Sequence, residues 1–415
     1  MHRAAILLLS CLAAAPTMAA TFVVDSSFDD PDQTPGDGAC DSTRGSTCTL
    51  RAAIEEAEAL AGADVIEFSI GASTIVPLTP LPEINHDLVI DGTTSPDYAP
   101  TGTRPLQAPP AIFLDGFFLS AGTDDGLSAR GTSVNPIHVE IRGLGIVRFP
   151  RYGIDVTWGD AAWIEANWIG VARDAESTAT GNGSHGLLLS ACSDCIVGAV
   201  VATLFDVPIL LGRGNAIANN GGDGILSGFG SGNSFGGNEI GVLPTLPLGA
   251  YHSGANAGRG MSLLDSGSTV GFLEGSADAR NFIAFNGSDG VYSGGSSTTV
   301  HHNTIAQNGG SGIVLLGDGG TVTTNAMRGN GGHGLRIGSS DTATDDAVVS
   351  GNTIGDNGGR GIYLQNGSGA LVEDNSIYAN DNDGVRVDGD GNLVRGNHLG
   401  IRGAAFMGGN AFNGI

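Results

Sequence analysis

Basic, aromatic and acidic side chains recur at two positions of a short repeated segment in the C-terminal part of the chain. The segment has the pattern Gly-x-Gly-apolar-x-apolar, as in the six residues from Gly332 to Ile337. If each segment is a β-strand, neighbouring side chains alternate between faces, and both variable positions point outward. The residues brought to one surface in this way are Asp289, Tyr292, His333, Arg336, Arg360, Tyr363, Asp383 and Arg386.

The chemistry that suits such a surface is the binding of carboxylate-bearing sugars. Guanidinium groups form charge-assisted hydrogen bonds with carboxylates, and flat aromatic and guanidinium surfaces suit sugar rings. The sequence therefore predicts a binding surface for an extracellular polysaccharide or another cell-surface partner. A solvated face that binds no ligand is the alternative. Arg259 holds the position equivalent to Arg360, but several repeats earlier in the chain. Its replacement is therefore predicted to leave binding at the later repeats unchanged.

A catalytic role for these residues is the second hypothesis. The Gly-His-Gly segment around His333 resembles one used by polygalacturonases, which are β-helix enzymes. That family also needs paired Asp residues and a basic clamp, which the sequence does not place on adjacent coils. Lyases and epimerases need a base beside an acidic cluster or calcium, and the chain has no Lys to serve. The sequence thus favours binding, with a polysaccharide lyase, hydrolase or epimerase as the alternative.

Two acidic segments near the C-terminus are dense enough in oxygen to suggest calcium. Asp381 and Asp383 lie in the first segment, and Asp388 and Asp390 lie in the second. The second segment departs from the EF-hand pattern because Leu393 stands where that pattern requires Gly. Both segments also fall in the normal frame of the repeats. They are therefore predicted to be turns, with calcium as the alternative and no other cofactor expected.

The composition favours short strands and excludes several classes of protein. The 415 residues include 69 Gly and 40% hydrophobic residues, and all 18 basic residues are Arg. The formal charge of −25 argues against nucleic acid, because neutralising phosphates requires clustered Lys and Arg. The chain has few good helix formers and many Gly, Asn, Thr and Ser residues. This composition excludes a helical bundle. Apolar residues recur at short intervals, so the chain is predicted to bury a sizeable core.

The N-terminus predicts export from the cytoplasm. Residues 1–20 combine Arg3, an apolar run from Ala4 to Ala15, and small residues at Ala19 and Ala20, as a signal peptide does. No later apolar stretch reaches the length needed to span a bilayer. The protein is therefore expected to be secreted or held at the cell surface.

Four cysteines remain after the signal peptide, in two close pairs. In an exported chain, Cys40 with Cys48 and Cys192 with Cys195 are predicted to form two local disulfides. The Cys-x-x-Cys spacing of the second pair also matches half of a zinc site, but no second such pair and no nearby His pair completes it.

The elements that position all these residues follow from an internal repeat. Asn281, Asn303, Asn325, Asn352, Asn375 and Asn397 recur at about 22 residues, and a second Asn follows five positions later in most repeats. Each repeat contains three short apolar runs separated by turns. This length and strand number predict an all-β, right-handed parallel β-helix of roughly fifteen three-strand coils. Stacked coils place each Asn above the next, so their amides are predicted to hydrogen-bond along the stack.

Residues 21–62 carry a different pattern. Leu50, Ala53, Ile54 and Ala57 recur at helical spacing, and Gly62 suits the end of a helix. The apolar end of a solenoid must be covered, so this segment is predicted to be a short helical cap on the β-helix of residues 63–415.

The segment that begins at Cys48 resembles the CSLREA motif, which stands at the start of exported bacterial right-handed β-helix proteins. Thr49 replaces its Ser and Ala52 replaces its Glu. The resemblance covers nearly the whole mature chain and implies a secreted or surface-attached β-helix without fixing an activity. Residues 409–415 resemble the opening of a further coil, so the C-terminal end is expected to be incomplete or covered by a partner.

Overall fold

The computed structural model describes residues 19–175, 177–204, 207–244, 251–272, 280–400 and 408–415. Most of the predicted signal peptide, residues 1–18, lies outside this part of the chain. No helix among the described residues is long and apolar enough to cross a membrane.

The chain winds into successive coils whose strands form three long parallel sheets. Sheet 1 has 13 strands. Its strands are Thr21–Val24, Asp64–Phe68, Leu88–Asp91, Val139–Arg142, Trp163–Glu165, Ile196–Gly198, Ser234–Gly236, Thr269–Val270, Thr299–His301, Thr321–Thr323, Val348–Ser350, Leu371–Glu373 and Leu393–Arg395.

Sheet 2 has 12 strands and sheet 3 has 10. The strands of sheet 2 are Ser73–Ile75, Ile112–Asp115, Leu144–Val147, Trp168–Ile169, Ala216–Ile217, Glu239–Ile240, Phe282–Ala284, Thr304–Ala306, Ala326–Arg328, Thr353–Gly355, Ser376–Tyr378 and His398–Leu399. Those of sheet 3 are Leu127–Arg130, Ile154–Thr157, Leu187–Ser190, Ile225–Gly228, Met261–Leu263, Val291–Ser293, Ile313–Leu315, Leu335–Ile337, Ile362–Leu364 and Val385–Val387.

The predicted parallel β-helix is confirmed, although the described sheets hold fewer strands than the roughly fifteen coils expected. The coils near the N-terminus carry long excursions, and these use residues that the sequence pattern assigned to further coils. Asp87 and His138, for example, are 51 residues apart but hydrogen-bond between neighbouring coils. Two antiparallel hairpins also leave the coil, formed by Val200–Leu204 with Val207–Leu211 and by Val242–Pro244 with Tyr251–Ser253.

The core lies inside the coil and is built by strict alternation along short strands. In the strand Leu335–Ile337, Leu335 and Ile337 are buried while Arg336 points outward. The same inward position is filled by Val291, Ile313, Ile362 and Val385, all of them fully buried. Burial of these aliphatic side chains, each worth roughly 1.5–3 kcal/mol, is what holds successive coils together.

Two asparagine ladders run through the interior at two corners of the coil. In each, the side-chain amide of one Asn donates to the Oδ1 of the next Asn at 2.9–3.2 Å. The first contains Asn167, Asn215, Asn238, Asn281, Asn303, Asn325, Asn352, Asn375 and Asn397, and the second contains Asn182, Asn220, Asn256, Asn286, Asn308, Asn330, Asn357, Asn380 and Asn410. The predicted hydrogen bonding along the stack is confirmed.

The N-terminal segment contains the predicted helix, Leu50–Ala59. Thr49 caps its first turn, since the Thr49 Oγ1 accepts the Ala52 N–H at 3.0 Å. Leu50 and Ile54 are fully buried in the same core as the coils. The strand Thr21–Val24 pairs with Asp64–Phe68 at the edge of sheet 1. The assignment of residues 21–62 as a cap stays a prediction.

The cysteines behave differently in the two pairs. Cys40 and Cys48 form a disulfide. Cys192 and Cys195 are buried free thiols, so the predicted second disulfide is wrong. Each thiol has a carbonyl acceptor instead: the Cys192 Sγ lies 3.2 Å from the Val156 carbonyl oxygen, and the Cys195 Sγ lies 3.5 Å from that of Ser193.

The C-terminal residues open a further coil, as their sequence suggests. The Asn410 Oδ1 accepts the side-chain amide of Asn380 at 3.0 Å and extends the second ladder. The N–H groups of Gly384 and Val385 donate to the carbonyls of Asn413 and Gly414. The expectation that a partner covers this end stays a prediction.

Candidate functional site

The outward face of sheet 3 carries the candidate residues in the predicted register. Tyr292, Val314, Arg336, Tyr363 and Arg386 are successive partners across parallel strands. Neighbouring strands of a sheet lie about 4.8 Å apart, so each of these side chains can touch the next. The second column runs beside the first, just before each strand. It includes Asp289, His333, Arg360 and Asp383.

On several coils, the side chain just before the strand accepts a hydrogen bond from the following coil. The His333 Nδ1 accepts the Arg360 N–H at 2.9 Å, and the Asp289 Oδ1 accepts the Ser311 N–H at 2.7 Å. Ser311, Asp223 and His185 make the same bond to the following coil. A short acceptor at this position therefore satisfies a backbone donor of the next coil. This supports the interpretation of His333 as a structural variant of the turn.

His333 also presents a donor. Because its Nδ1 accepts a backbone N–H, a neutral ring carries its proton on Nε2. Burial, reinforced by the nearby charges of Arg360 and Arg336, lowers the pKa of His333 to about 4. The ring is therefore neutral at physiological pH, able to donate one hydrogen bond and unsuited to act as a cation.

Six of the eight predicted residues lie together near the end of the face, and Asp388 joins them; we call these seven residues the C-terminal cluster. Tyr363 is at its centre, with the His333 ring 5.3 Å away and the guanidinium of Arg360 4.7 Å above its ring. The Tyr363 hydroxyl donates to the Asp388 Oδ2 at 2.8 Å, and Arg360 pairs with Asp383 at 3.3 Å. Its members are His333, Arg336, Arg360, Tyr363, Asp383, Arg386 and Asp388.

Arg336 differs from the other arginines of the C-terminal cluster. Arg360 and Arg386 pair with Asp383 and Asp388. The Nε of Arg336 is buried and lacks a hydrogen-bond partner, and its guanidinium forms no ion pair with any residue that the structure describes. A charged donor that is partly desolvated and unpaired costs free energy unless a ligand supplies the acceptor.

The remaining two predicted residues, Asp289 and Tyr292, belong to a separate group with Arg259, here called the central cluster. The Arg259 guanidinium lies 3.9 Å above the Tyr292 ring, and its Nε is 3.4 Å from the Asp289 Oδ2. The coil of Ser311 and Val314 separates this group from His333 and Arg336. Arg259 lies several coils before Arg360, as the sequence indicates, yet it covers one of the predicted aromatic side chains. That its replacement leaves binding at the later coils unchanged stays a prediction.

A third group, which sequence reasoning missed, occupies the other end of the face. This N-terminal cluster consists of Asp125, Arg130, Arg151 and Asp155, on adjacent coils. The Asp155 Oδ2 lies 3.3 Å from Arg130 and 3.4 Å from Arg151, while Arg151 also pairs with Asp125. Burial is the main cause of the raised pKa of the Asp155 carboxyl.

The N-terminal cluster borders a cleft of about 180 Å³, lined in part by Asp124, Asp125, Arg130 and Arg151. Asp155 lies at the alternating outward position of the strand Ile154–Thr157, and the structure brings Asp125 close to it on the preceding coil. Asp125 lies two residues before the strand Leu127–Arg130, at the end of a long excursion in which the repeat is irregular. The only signal in the sequence is the pair Asp124-Asp125 followed by Gly126, in the frame of the coil segments.

The calcium candidates are engaged by other side chains or lie apart. Asp383 accepts from Arg360 and Asn413, and Asp388 accepts from Arg386 and Tyr363. Across the described residues, no group of three or more His, Cys, Asp or Glu side chains is arranged to hold a metal ion. Asp381 and Asp390 are exposed turn residues.

Comparisons with known proteins agree with this architecture. Residues 283–413 match the family model described as "Right handed beta helix region". The chain is similar in structure to the A-module of the mannuronan C-5 epimerase AlgE4 from Azotobacter vinelandii, with a TM-score of 0.52 and 15% identity over 88% of this chain and 98% of the module. It is also similar to the periplasmic alginate epimerase AlgG, with a TM-score of 0.51 and 13% identity over 80% and 79% of the two chains. No curated protein sequence matches. The fold is therefore a right-handed parallel β-helix.

Proposed function

We propose that this protein binds an acidic polysaccharide along the outward face of sheet 3, with the C-terminal cluster as the principal site. The observation that carries the proposal is the guanidinium of Arg336, which pairs with no acidic residue that the structure describes and lies beside Tyr363 and the neutral His333. In a chain of net charge −25, nearby carboxylates are abundant, yet none pairs with this arginine in the described structure. A carboxylate of the ligand would complete it.

The surrounding groups suit a chain of sugar rings. Tyr363 offers a ring face that Arg360 and Arg386 partly cover, at 4.7 and 5.9 Å. The His333 Nε2–H can donate to a sugar hydroxyl, and the central cluster repeats the combination of Arg, Asp and Tyr further along. Repetition along the solenoid fits a polymeric ligand, because each sugar residue meets a similar set of groups.

The experiment is to measure the affinity of the purified protein for alginate, with dextran as a neutral polymer of similar size. The two neighbours above are named as epimerases of mannuronan and alginate, which makes alginate the first acidic polymer to use. We expect Arg336→Ala to weaken alginate binding by about 1–3 kcal/mol, the usual cost of losing a hydrogen bond to a charged group. The difference between wild type and Arg336→Ala should narrow as salt is added, since exposed ionic contacts are screened.

The matched control is Arg395→Ala. Arg395 is exposed on sheet 1 and pairs with Glu373. The substitution Arg395→Ala therefore changes the net charge as much as Arg336→Ala does, without altering the outward face of sheet 3. Equal affinities of the wild-type protein, Arg336→Ala and Arg395→Ala for alginate, or equal binding of dextran and alginate, would contradict the proposal.

The second candidate function is that of a polysaccharide lyase, hydrolase or epimerase, and the N-terminal cluster favours it. Carboxylates on adjacent coils, one of them with a raised pKa, are the groups that general acid–base catalysis needs. Against this, Asp125 and Asp155 are both held by arginines, and Asp155 is almost fully buried. The test is product formation from whichever polymer binds, compared between wild type and Asp125→Asn. Loss of turnover with unchanged binding would favour an enzyme.

We further propose that the protein acts outside the cytoplasm. The disulfide between Cys40 and Cys48 is typical of oxidising compartments. Deletion of residues 2–20 should retain the protein in the cytoplasm with both thiols reduced, whereas the full chain should fractionate outside it. Equal distribution of the two forms would contradict export through this segment.

A further inference from the structure

A second concentration of arginine lies on another side of the solenoid, over the outer surface of sheet 2. A cleft of about 210 Å³ opens there between the excursion that precedes Ile112 and the strands of sheet 2. Its lining includes Arg104, Pro105, Glu239, Arg280, Phe282 and Thr304. These residues lie outside the three clusters of sheet 3.

The wall of the cleft is fixed by hydrogen bonds to the sheet. The Trp168 Nε1–H donates to the Pro105 carbonyl at 3.0 Å, and the Leu106 N–H donates to the Glu239 Oε2 at 3.0 Å. Beneath it, Leu106 and Trp168 belong to a compact apolar cluster on the outside of sheet 2. The excursion is therefore packed onto the sheet, and the cleft is pre-formed.

The charges of the cleft leave an excess of positive charge. The buried Glu239 carboxylate already has partners. Its Oε1 forms an ion pair with Arg104 at 2.9 Å and accepts the Tyr251 hydroxyl at 2.6 Å, while its Oε2 accepts the Leu106 N–H. Burial, together with Glu239, raises the pKa of the Tyr251 hydroxyl, so that it remains a donor. Arg280 is exposed and forms no ion pair with any described residue.

We propose that this cleft binds a single small carboxylate sugar, a free uronic acid, independently of the polysaccharide site on sheet 3. Arg280 and the unused Nη atoms of Arg104 can bind the carboxylate. The half-buried Phe282 ring offers a flat wall for the sugar ring, and the Thr304 hydroxyl can bond to a sugar hydroxyl. The volume of about 210 Å³ is below the range of about 300–1,000 Å³ typical of drug-sized ligands and fits one sugar ring.

The test is calorimetric titration of the purified protein with glucuronate, glucose and inorganic phosphate. Glucose has the same ring without the carboxylate, and phosphate is an anion without the ring. We expect glucuronate to bind, glucose not to bind, and Arg280→Ala to weaken glucuronate binding at least tenfold. Arg328→Ala is the matched control, because Arg328 is an exposed arginine on the same sheet outside the cleft.

Three outcomes would overturn the assignment: no binding of glucuronate, equal loss in Arg280→Ala and Arg328→Ala, or phosphate binding as tightly as glucuronate and depending equally on Arg280. Since Arg280 is exposed and pairs with no acidic residue that the structure describes, its replacement should leave the melting temperature unchanged, and a melting curve of each variant checks this. Failure here leaves alginate binding by Arg336 untouched, because the two sites share no residue.

Discussion

The two ends of the sheet 3 face use the same columns and the same residue types in opposite ways. At the N-terminal cluster, Arg130 and Arg151 converge on the buried carboxylate of Asp155, and Arg151 also holds Asp125. At the C-terminal cluster, Arg336 has no acidic partner among the described residues, and the carboxylates that are present lie at the surface. Charges that satisfy one another hold coils together, whereas a charge left unsatisfied is available to a ligand.

The largest expected effect tests the structural role of the N-terminal cluster. Asp155→Ala leaves two guanidinium groups facing a cavity, and removing one partner of a buried ion pair costs about 3–5 kcal/mol. We expect a loss of about 3 kcal/mol, near the low end, because Arg130 and Arg151 are partly exposed. Urea unfolding measures it, with Asp388→Ala as the control at the other end. A smaller loss of unfolding free energy for Asp155→Ala than for Asp388→Ala would contradict the structural role of the N-terminal cluster.

The next largest expected effect concerns the first asparagine ladder, which stabilises the C-terminal coils where buried ion pairs do not. Asn352→Ala breaks the first asparagine ladder, removing the acceptor of Asn325 and the donor to Asn375. Buried groups left unpaired cost about 1–3 kcal/mol. Urea unfolding should show this loss, while Asn366→Ala, on an exterior turn, should change stability by less than about 0.5 kcal/mol. Similar values for the two variants would mean that the ladder adds little.

A pH series sharpens the assignment of His333. Its folded pKa of about 4 lies below the ordinary value of 6.5, so between these pH values the unfolded chain binds more protons. Stability should therefore fall as the pH drops from 6.5 towards 4. His333→Asn keeps a short acceptor for the Arg360 N–H but does not titrate. It should flatten the slope by up to about 1.4 kcal/mol per pH unit. If the pH dependence of stability were the same in His333→Asn as in the wild type, other groups such as His301 would be responsible for the loss of stability in acid.

The smallest expected effect separates the paired from the unpaired arginines within the C-terminal cluster. Arg386 is exposed and pairs with Asp388 at 2.9 Å, so a ligand must compete with that carboxylate. We expect Arg386→Ala to weaken alginate binding by only about 0.5 kcal/mol, the scale of an exposed ion pair. A loss as large as that of Arg336→Ala would show that pairing within the protein does not decide which arginine binds.

Much of this arrangement could be predicted from the sequence, because in a solenoid the spacing of residues along the chain determines which side chains lie next to each other on neighbouring coils. Tyr363 and Arg386 were placed side by side by counting along the repeat, and the strand register confirms them. The spacing did not predict the pairing of Asp125 with Arg151, because the repeat is irregular in the excursion before Asp125. It also did not predict contacts that depend on side-chain conformation. Arg259 reaches Tyr292 on the next coil through its long side chain, and repeat spacing does not specify that reach.

Several strands of sheet 3 are preceded by a side chain that accepts a hydrogen bond from the next coil, and this affects how the surface can evolve. His185, Asp223, Ser311 and His333 all satisfy the same backbone donor of the following coil. On these coils a short acceptor of any charge serves, whereas Arg259 and Arg360 hold the same position without accepting a hydrogen bond. A single substitution can exchange a negative, a neutral or a titratable group on one coil while the coils above and below stay in place. Natural selection can therefore change the charge of this surface by single substitutions, and each intermediate variant still folds.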